Sequence, residues 1–217
     1  MSTLDGLLGL RLFYSEGVEI PSANAIDVVG PVLFAYDAAL AQVRLTVSAV
    51  GWIPISLYDF REVDSSGDVA NTAGNGGLLA SDTTPILRGD ATTEAQEIHW
   101  ATSNVDKVAF QTSLPPDLDD TADVLLDLYV RTDNSGGGGI DPATFTVETS
   151  WNGAALVTDT ATDAAPASSY HVVTATVAAA DVPASAGVLT CILTPGAHAN
   201  DPVQLLGARI RYTRKYI

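Results

Sequence analysis

Three histidines, three tryptophans and a single cysteine are the rarer side chains of this 217-residue chain that could do chemistry. His99, His171 and His198 lie far apart, and none belongs to a His-Glu-x-x-His or Cys-x-x-Cys pattern, so a zinc site would have to assemble through space. His99 and His171 are expected in strands and His198 in a loop. Gly-x-Ser-x-Gly is absent, which leaves serine hydrolysis without positive support. A lone cysteine excludes an intrachain disulfide. Cys191 sits in the apolar run Val188-Leu189-Thr190-Cys191-Ile192-Leu193 with no base beside it, so it reads as a buried core residue, not a nucleophile.

Carboxylates cluster twice. Asp117, Asp119, Asp120 and Asp123 form one group, and Asp133, Asn134 and Asp141 flank the glycine run from Gly136 to Gly139. Hard oxygens on a loop suit calcium, but neither group has the spacing of an EF-hand with its terminal glutamate, so both read as solvated loops. A glycosidase pair would need a carboxylate separation that spacing in sequence does not give. The glycine run is read as a hairpin tip and not a phosphate loop, because no Lys-Ser or Lys-Thr follows it. Arg88-Gly89-Asp90 is read as a chance tripeptide in which Gly89 makes a bend. No enzymatic activity, metal or cofactor is expected.

Aromatic rings on a strand face can stack on sugars, which makes Trp52, Trp100 and Trp151 candidates. Trp100 and Trp151 continue apolar alternations and are expected in the core; Trp52, between Gly51 and Pro54, is expected at an interface. Arg209, Arg211, Arg214 and Lys215 supply four of the ten basic residues. Arg209 and Arg211 share one strand face, opposite Ile210 and Tyr212. Two readings stay open for them: balancing acids within the same sandwich, or contacting an acidic partner.

The elements that must position these residues are strands. Val43, Leu45, Val47 and Ala49 alternate with polar residues, as do Val124, Leu126, Leu128 and Val130; Phe145, Val147 and Trp151; and Leu206, Ala208, Ile210 and Tyr212. Turn signals such as Asn152-Gly153 and Leu114-Pro115-Pro116-Asp117 separate them. Asp37 to Gln42 and Ala178 to Asp181 are too short for independent helices and are expected as turns at sheet corners. The fold class is therefore all-β: an antiparallel, jelly-roll-like sandwich over residues 61–217, preceded by a less regular N-terminal arm or partial sheet over residues 1–60. Leu4, Leu7, Leu8, Leu10, Leu12 and Phe13 give that arm more apolar side chains than a free tail carries, which marks it as a candidate attachment segment.

The formal net charge of -16, from 26 acidic against 10 basic residues, repels nucleic acid and anionic membranes. No apolar run approaches the roughly 18 residues that span a bilayer, and residues 1–10 lack the basic and apolar regions of a secretory signal. The expectation is a protein made and soluble in a bacterial cytoplasm.

Leu57-Tyr58-Asp59-Phe60-Arg61-Glu62-Val63, Ala109-Phe110-Gln111-Thr112-Ser113-Leu114-Pro115-Pro116-Asp117, Val173-Thr174-Ala175-Thr176-Val177 and the closing Tyr212-Thr213-Arg214-Lys215 resemble a group of tailed-phage virion structural proteins. The resemblance covers about Leu57 to Lys215. It implies a jelly-roll-type module on the exterior of a virion: a capsid decoration (cement) protein bound to the major capsid protein or other virion proteins, or alternatively a carbohydrate-binding head-fibre or tail-appendage module. A homo-oligomer, a trimer by the three-fold sites of phage heads, is expected with either.

Overall fold

The computed structural model describes residues 49–215 except 66, 70–76, 80–84, 91–94, 134–138, 163–164 and 185–186, together with the backbone of four strands in residues 14–47. Those four are β1 (Tyr14–Ser15), β2 (Val18–Glu19), β3 (Val32–Asp37) and β4 (Gln42–Val47). They pair as two antiparallel two-stranded ribbons, β1 with β2 and β3 with β4, within a unit spanning Met1–Ser48. Asp37 and Gln42 close the second ribbon as strand residues, and the turn expected between them lies outside the described residues. So do Leu4, Leu7, Leu8, Leu10, Leu12 and Phe13.

The described residues of the second unit, Ala49–Ile217, hold eleven strands: β5 (Ala49–Ile55), β6 (Arg61–Val63), β7 (Ile86–Gly89), β8 (Gln96–Trp100), β9 (Lys107–Ser113), β10 (Val124–Thr132), β11 (Phe145–Trp151), β12 (Val157–Ala161), β13 (His171–Val177), β14 (Val188–Pro195) and β15 (Val203–Arg214). The front sheet runs β13-β10-β15-β8-β7, and the back sheet β12-β11-β14-β9-β6. The pairings β8 with β15, β9 with β14, β10 with β13 and β11 with β12 are all antiparallel. They are those of one long hairpin rolled up so that its two arms alternate between sheets, which is the jelly roll. From β8 onward, only β11 and β12 follow one another within a single sheet.

That hairpin's tip is the expected Asn-Gly turn. Asn152 and Gly153 have φ of 51° and 76°, and Ala154 N donates to Trp151 O at 2.8 Å, a turn with both central residues left-handed. The glycine run read as a hairpin tip lies, from Gly136 to Gly138, outside the described residues, and the strands on either side of it, β10 and β11, belong to different sheets. Gly89 ends strand β7 and makes no bend of its own. Ala179–Asp181 is a 3₁₀ turn, as its length requires.

Alternation places one face of each strand between the sheets. Leu126, Leu128 and Val130 of β10 and Phe145 and Val147 of β11 are buried there, and the Trp100 ring meets Phe145 edge-on at 5.7 Å. Trp151 and Cys191 are also in this core. On β15 the period breaks: Tyr129 pairs with Gly207 but Val130 with Leu205, so Leu206 is an extra residue in a β-bulge. Strict alternation assigned Leu206 to the core face; the bulge puts Val203 and Leu205 there instead, followed by Ala208, Ile210 and Tyr212.

The sandwich begins earlier than Arg61, the start read from the sequence. Strand β5 runs along β15 from Ala208 to Arg214, beyond the stretch where β8 pairs with Val203 to Leu205. Its irregular look comes from Gly51 and Pro54, which interrupt an apolar run without interrupting the strand.

Candidate functional site

The outward face of the front sheet carries the polar and aromatic residues that the core excludes. Cross-strand register sets them in rows: Trp52 beside Arg211, then Pro54, Arg209, Asp127 and Thr174, then Gly207, Tyr129 and Val172. Gly51 and Ile53 face inward on β5, so Trp52 must face out, and it is 48% exposed. Val172 is 47% exposed, an apolar neighbour on the same face.

Asp127 organises this surface. Its side chain is buried, and it accepts hydrogen bonds from Thr174 Oγ1 at 2.8 Å, Arg209 Nε at 3.0 Å and Arg211 Nη2 at 3.0 Å. Burial pushes its carboxyl up, but the bonds from Thr174, Arg209 and Arg211 outweigh that and hold it below the usual range, so it stays ionised. With Nε anchored, the Arg209 guanidinium lies 4.0 Å from the Trp52 ring centroid and 5.3 Å from that of Tyr129. Arg211 lies 5.7 Å from Trp52. These are cation–π distances, and they fix the two aromatic rings through one guanidinium.

At the opposite end of the same face lies a buried polar cluster. Glu97 is fully buried, accepts from Tyr170 Oη at 2.8 Å and Arg88 Nε at 3.2 Å, and lies 3.5 Å from Arg131 Nη2. Arg131 also pairs with Asp90 and, at 3.5 Å, with Asp133, which takes a 2.6 Å bond from Gln204. Arg88 and Asp90 of the Arg-Gly-Asp tripeptide are thus tied into this network. Burial and the nearby Arg88 push the His99 imidazole down to about 4, although Asp133 pulls the other way, so the ring is neutral at neutral pH.

The remaining sequence candidates separate. His171 is in β13 and His198 in a loop, where its ring contacts the carbonyls of Gly196 and Ala101 at 2.7 and 3.0 Å. No group of three potential metal ligands occurs among the described residues. Arg214 pairs with Asp117 at 3.5 Å and Lys215 with Asp120, while Asp119 caps Thr121 and Asp123 accepts from Ala179 N. Each of the four C-terminal cations therefore has a carboxylate within the sandwich. Of the residues on this face, the sequence reading named Trp52, Arg209 and Arg211 as candidates and did not name Asp127, Tyr129 and Val172 as such. The signal was a carboxylate two positions from a tyrosine on the polar side of β10.

These features define a jelly-roll module with an aromatic and guanidinium surface on one sheet. No family model matches the chain, and no curated protein does. Solved structures of similar architecture include a xylan-binding module CBM15 (TM-score 0.47, 12% identity, covering 77% of this chain and all of that one). Others are the CBM35 module from Cellvibrio japonicus Abf62 (0.38, 11%, 75% and 92%) and the enzymatically active domain of bacteriophage CBA120 tailspike protein 4 (0.34, 8%, 76% and 19%). At these scores the likenesses carry no argument; the strand order above defines the fold.

Proposed function

We propose that this chain is a non-catalytic glycan-binding module whose platform is the front-sheet surface of Trp52, Tyr129 and Arg209. The observation that carries the reading is a half-exposed tryptophan held in a fixed pose by an arginine that a buried aspartate anchors. A sugar ring offers a C–H face to an aromatic ring and hydroxyls to the donors around it. Pre-setting the arginine lowers the ordering cost of binding.

The phage resemblance supports a setting on a head fibre or tail appendage, with the acidic exterior keeping many copies soluble. Trimeric display would raise avidity for repeated sugars. The capsid-decoration reading rests on the apolar arm and on the C-terminal cations as contacts for a partner, and each of those cations already has an acid inside the sandwich.

The test is a glycan array followed by titration calorimetry on the best binder. Wild-type protein is expected to bind, and Trp52→Ala to lose at least about tenfold in affinity with an unchanged circular dichroism spectrum. Co-sedimentation with phage particles in high copy number, with no glycan bound on the array, would replace this reading with docking onto the capsid.

A further inference from the structure

Resting on the glycan reading, we propose further that the platform selects acidic glycans, those bearing a sugar carboxylate, through the guanidinium groups of Arg209 and Arg211. The grounds are local charge. Arg88 and Arg131 face three carboxylates, those of Asp90, Glu97 and Asp133. Lys107 has Glu148, Arg214 has Asp117 and Lys215 has Asp120. Arg209 and Arg211 share the single carboxylate of Asp127.

Asp127 brings one negative charge against their two positive ones. Its Oδ1 already accepts from Thr174 and Arg211, its Oδ2 accepts from Arg209, and its side chain is buried beneath the surface it organises. One positive charge is left over at this end of the face, on a protein whose formal net charge is -16. Both arginine side chains are about a third exposed, and beyond its ring contacts the terminal amino groups of Arg209 have no hydrogen-bond acceptor among the described residues. Both lie within cation–π distance of Trp52, at 4.0 and 5.7 Å. A sugar stacked at that ring would therefore have its substituents beside the unmatched guanidinium.

Carboxylate is the group this arrangement fits. Guanidinium N–H donors form a planar fork that meets two carboxylate oxygens at once, and a charge-assisted bond of this kind is stronger than one to a neutral hydroxyl. A neutral hexose would use the stacking surface and leave the surplus charge unanswered. A negatively charged protein that binds an acidic polymer needs such a local inversion of sign, since long-range repulsion is screened within about 10 Å in ordinary buffer while a contact pair is not.

The experiment compares a glucuronate-bearing capsular oligosaccharide with its carboxyl-reduced counterpart, which keeps the ring and loses the charge. Titration calorimetry on the full chain is expected to give at least about tenfold tighter binding of the acid form. In Arg211→Gln the ratio of the two affinities is expected to fall toward one, with the melting temperature reporting that the sandwich is intact. Equal affinity of wild-type protein for both forms would overturn the acid preference and leave the glycan reading standing. Binding to neither form and to no sugar on the array would remove both. The wild-type comparison decides the matter even if the variant does not fold.

Discussion

Gly51 of β5 lies opposite Tyr212 of β15, and the tyrosine ring occupies the space that a side chain at position 51 would need: a Cβ there would fall 2.1 Å from Tyr212 Cζ. The ring covers the glycine on the inner face of an edge strand, the arrangement that compensates a strand for a residue with nothing to pack. Gly51→Ala should therefore displace the ring or the strand and destabilise the sandwich by about 1–3 kcal/mol. Urea denaturation checks this; an unchanged midpoint would mean that Tyr212 swings aside freely.

Asp127 is the next position to test. Asp127→Ala leaves two guanidinium groups without their shared acceptor, but both are partly solvated, so the expected loss is about 1–3 kcal/mol and not the larger penalty of a stranded buried charge. It should also weaken glycan binding, because Arg209 loses the bond that sets it between Trp52 and Tyr129. Stability unchanged in thermal melts, with binding intact, would show that the rings position Arg209 without help.

Acid should act through His99. The unfolded chain protonates this imidazole near its ordinary value of 6.5, while the folded chain resists protonation down to about 4, so acidification across that interval favours unfolding. Stability attributable to His99 is complete above that window and is lost progressively within it. His99→Gln should melt with a flatter dependence on pH between those two values. A wild-type curve already flat there would place the histidine in solvent.

Cys191 offers a probe of opening. It is buried at the centre of the back sheet, and burial, with a smaller effect of Asp159, pushes its thiol well above the usual range. Thiol reagents should label native protein at a rate set by unfolding, and labelling should quicken in Gly51→Ala. Immediate modification of native protein would contradict the burial.

Much of this was legible in the sequence because the back sheet and the middle of the front sheet are antiparallel with one face buried, and period-two alternation reports that arrangement directly. Phe145, Val147, Trp151 and Trp100 needed nothing more. Where the reading slipped, a local device broke the period. The bulge at Leu206 exchanged core and surface positions between Leu205 and Leu206, and Gly51 with Pro54 hid a strand whose pairing is supplied by β15. Of the platform, the arginines showed as a basic cluster at the end of the chain. Asp127 did not, because its significance is that it faces two of them from another strand, a relation between residues far apart in sequence.

The pairing of β5 with β15 also bears on how the protein comes into being. Trp52 is made well before residues 208–214, with which its strand pairs among the described residues. Until then an apolar edge segment containing Val50, Trp52 and Ile53 waits beside the ribosome with its backbone groups unpaired, the condition in which nascent chains attract chaperones or one another. Contacts between such distant segments also form slowly. The surface that would meet the ligand thus cannot exist before β15 has been made, and a chain cut short ahead of that strand would lack it even if the β11–β12 hairpin had already formed.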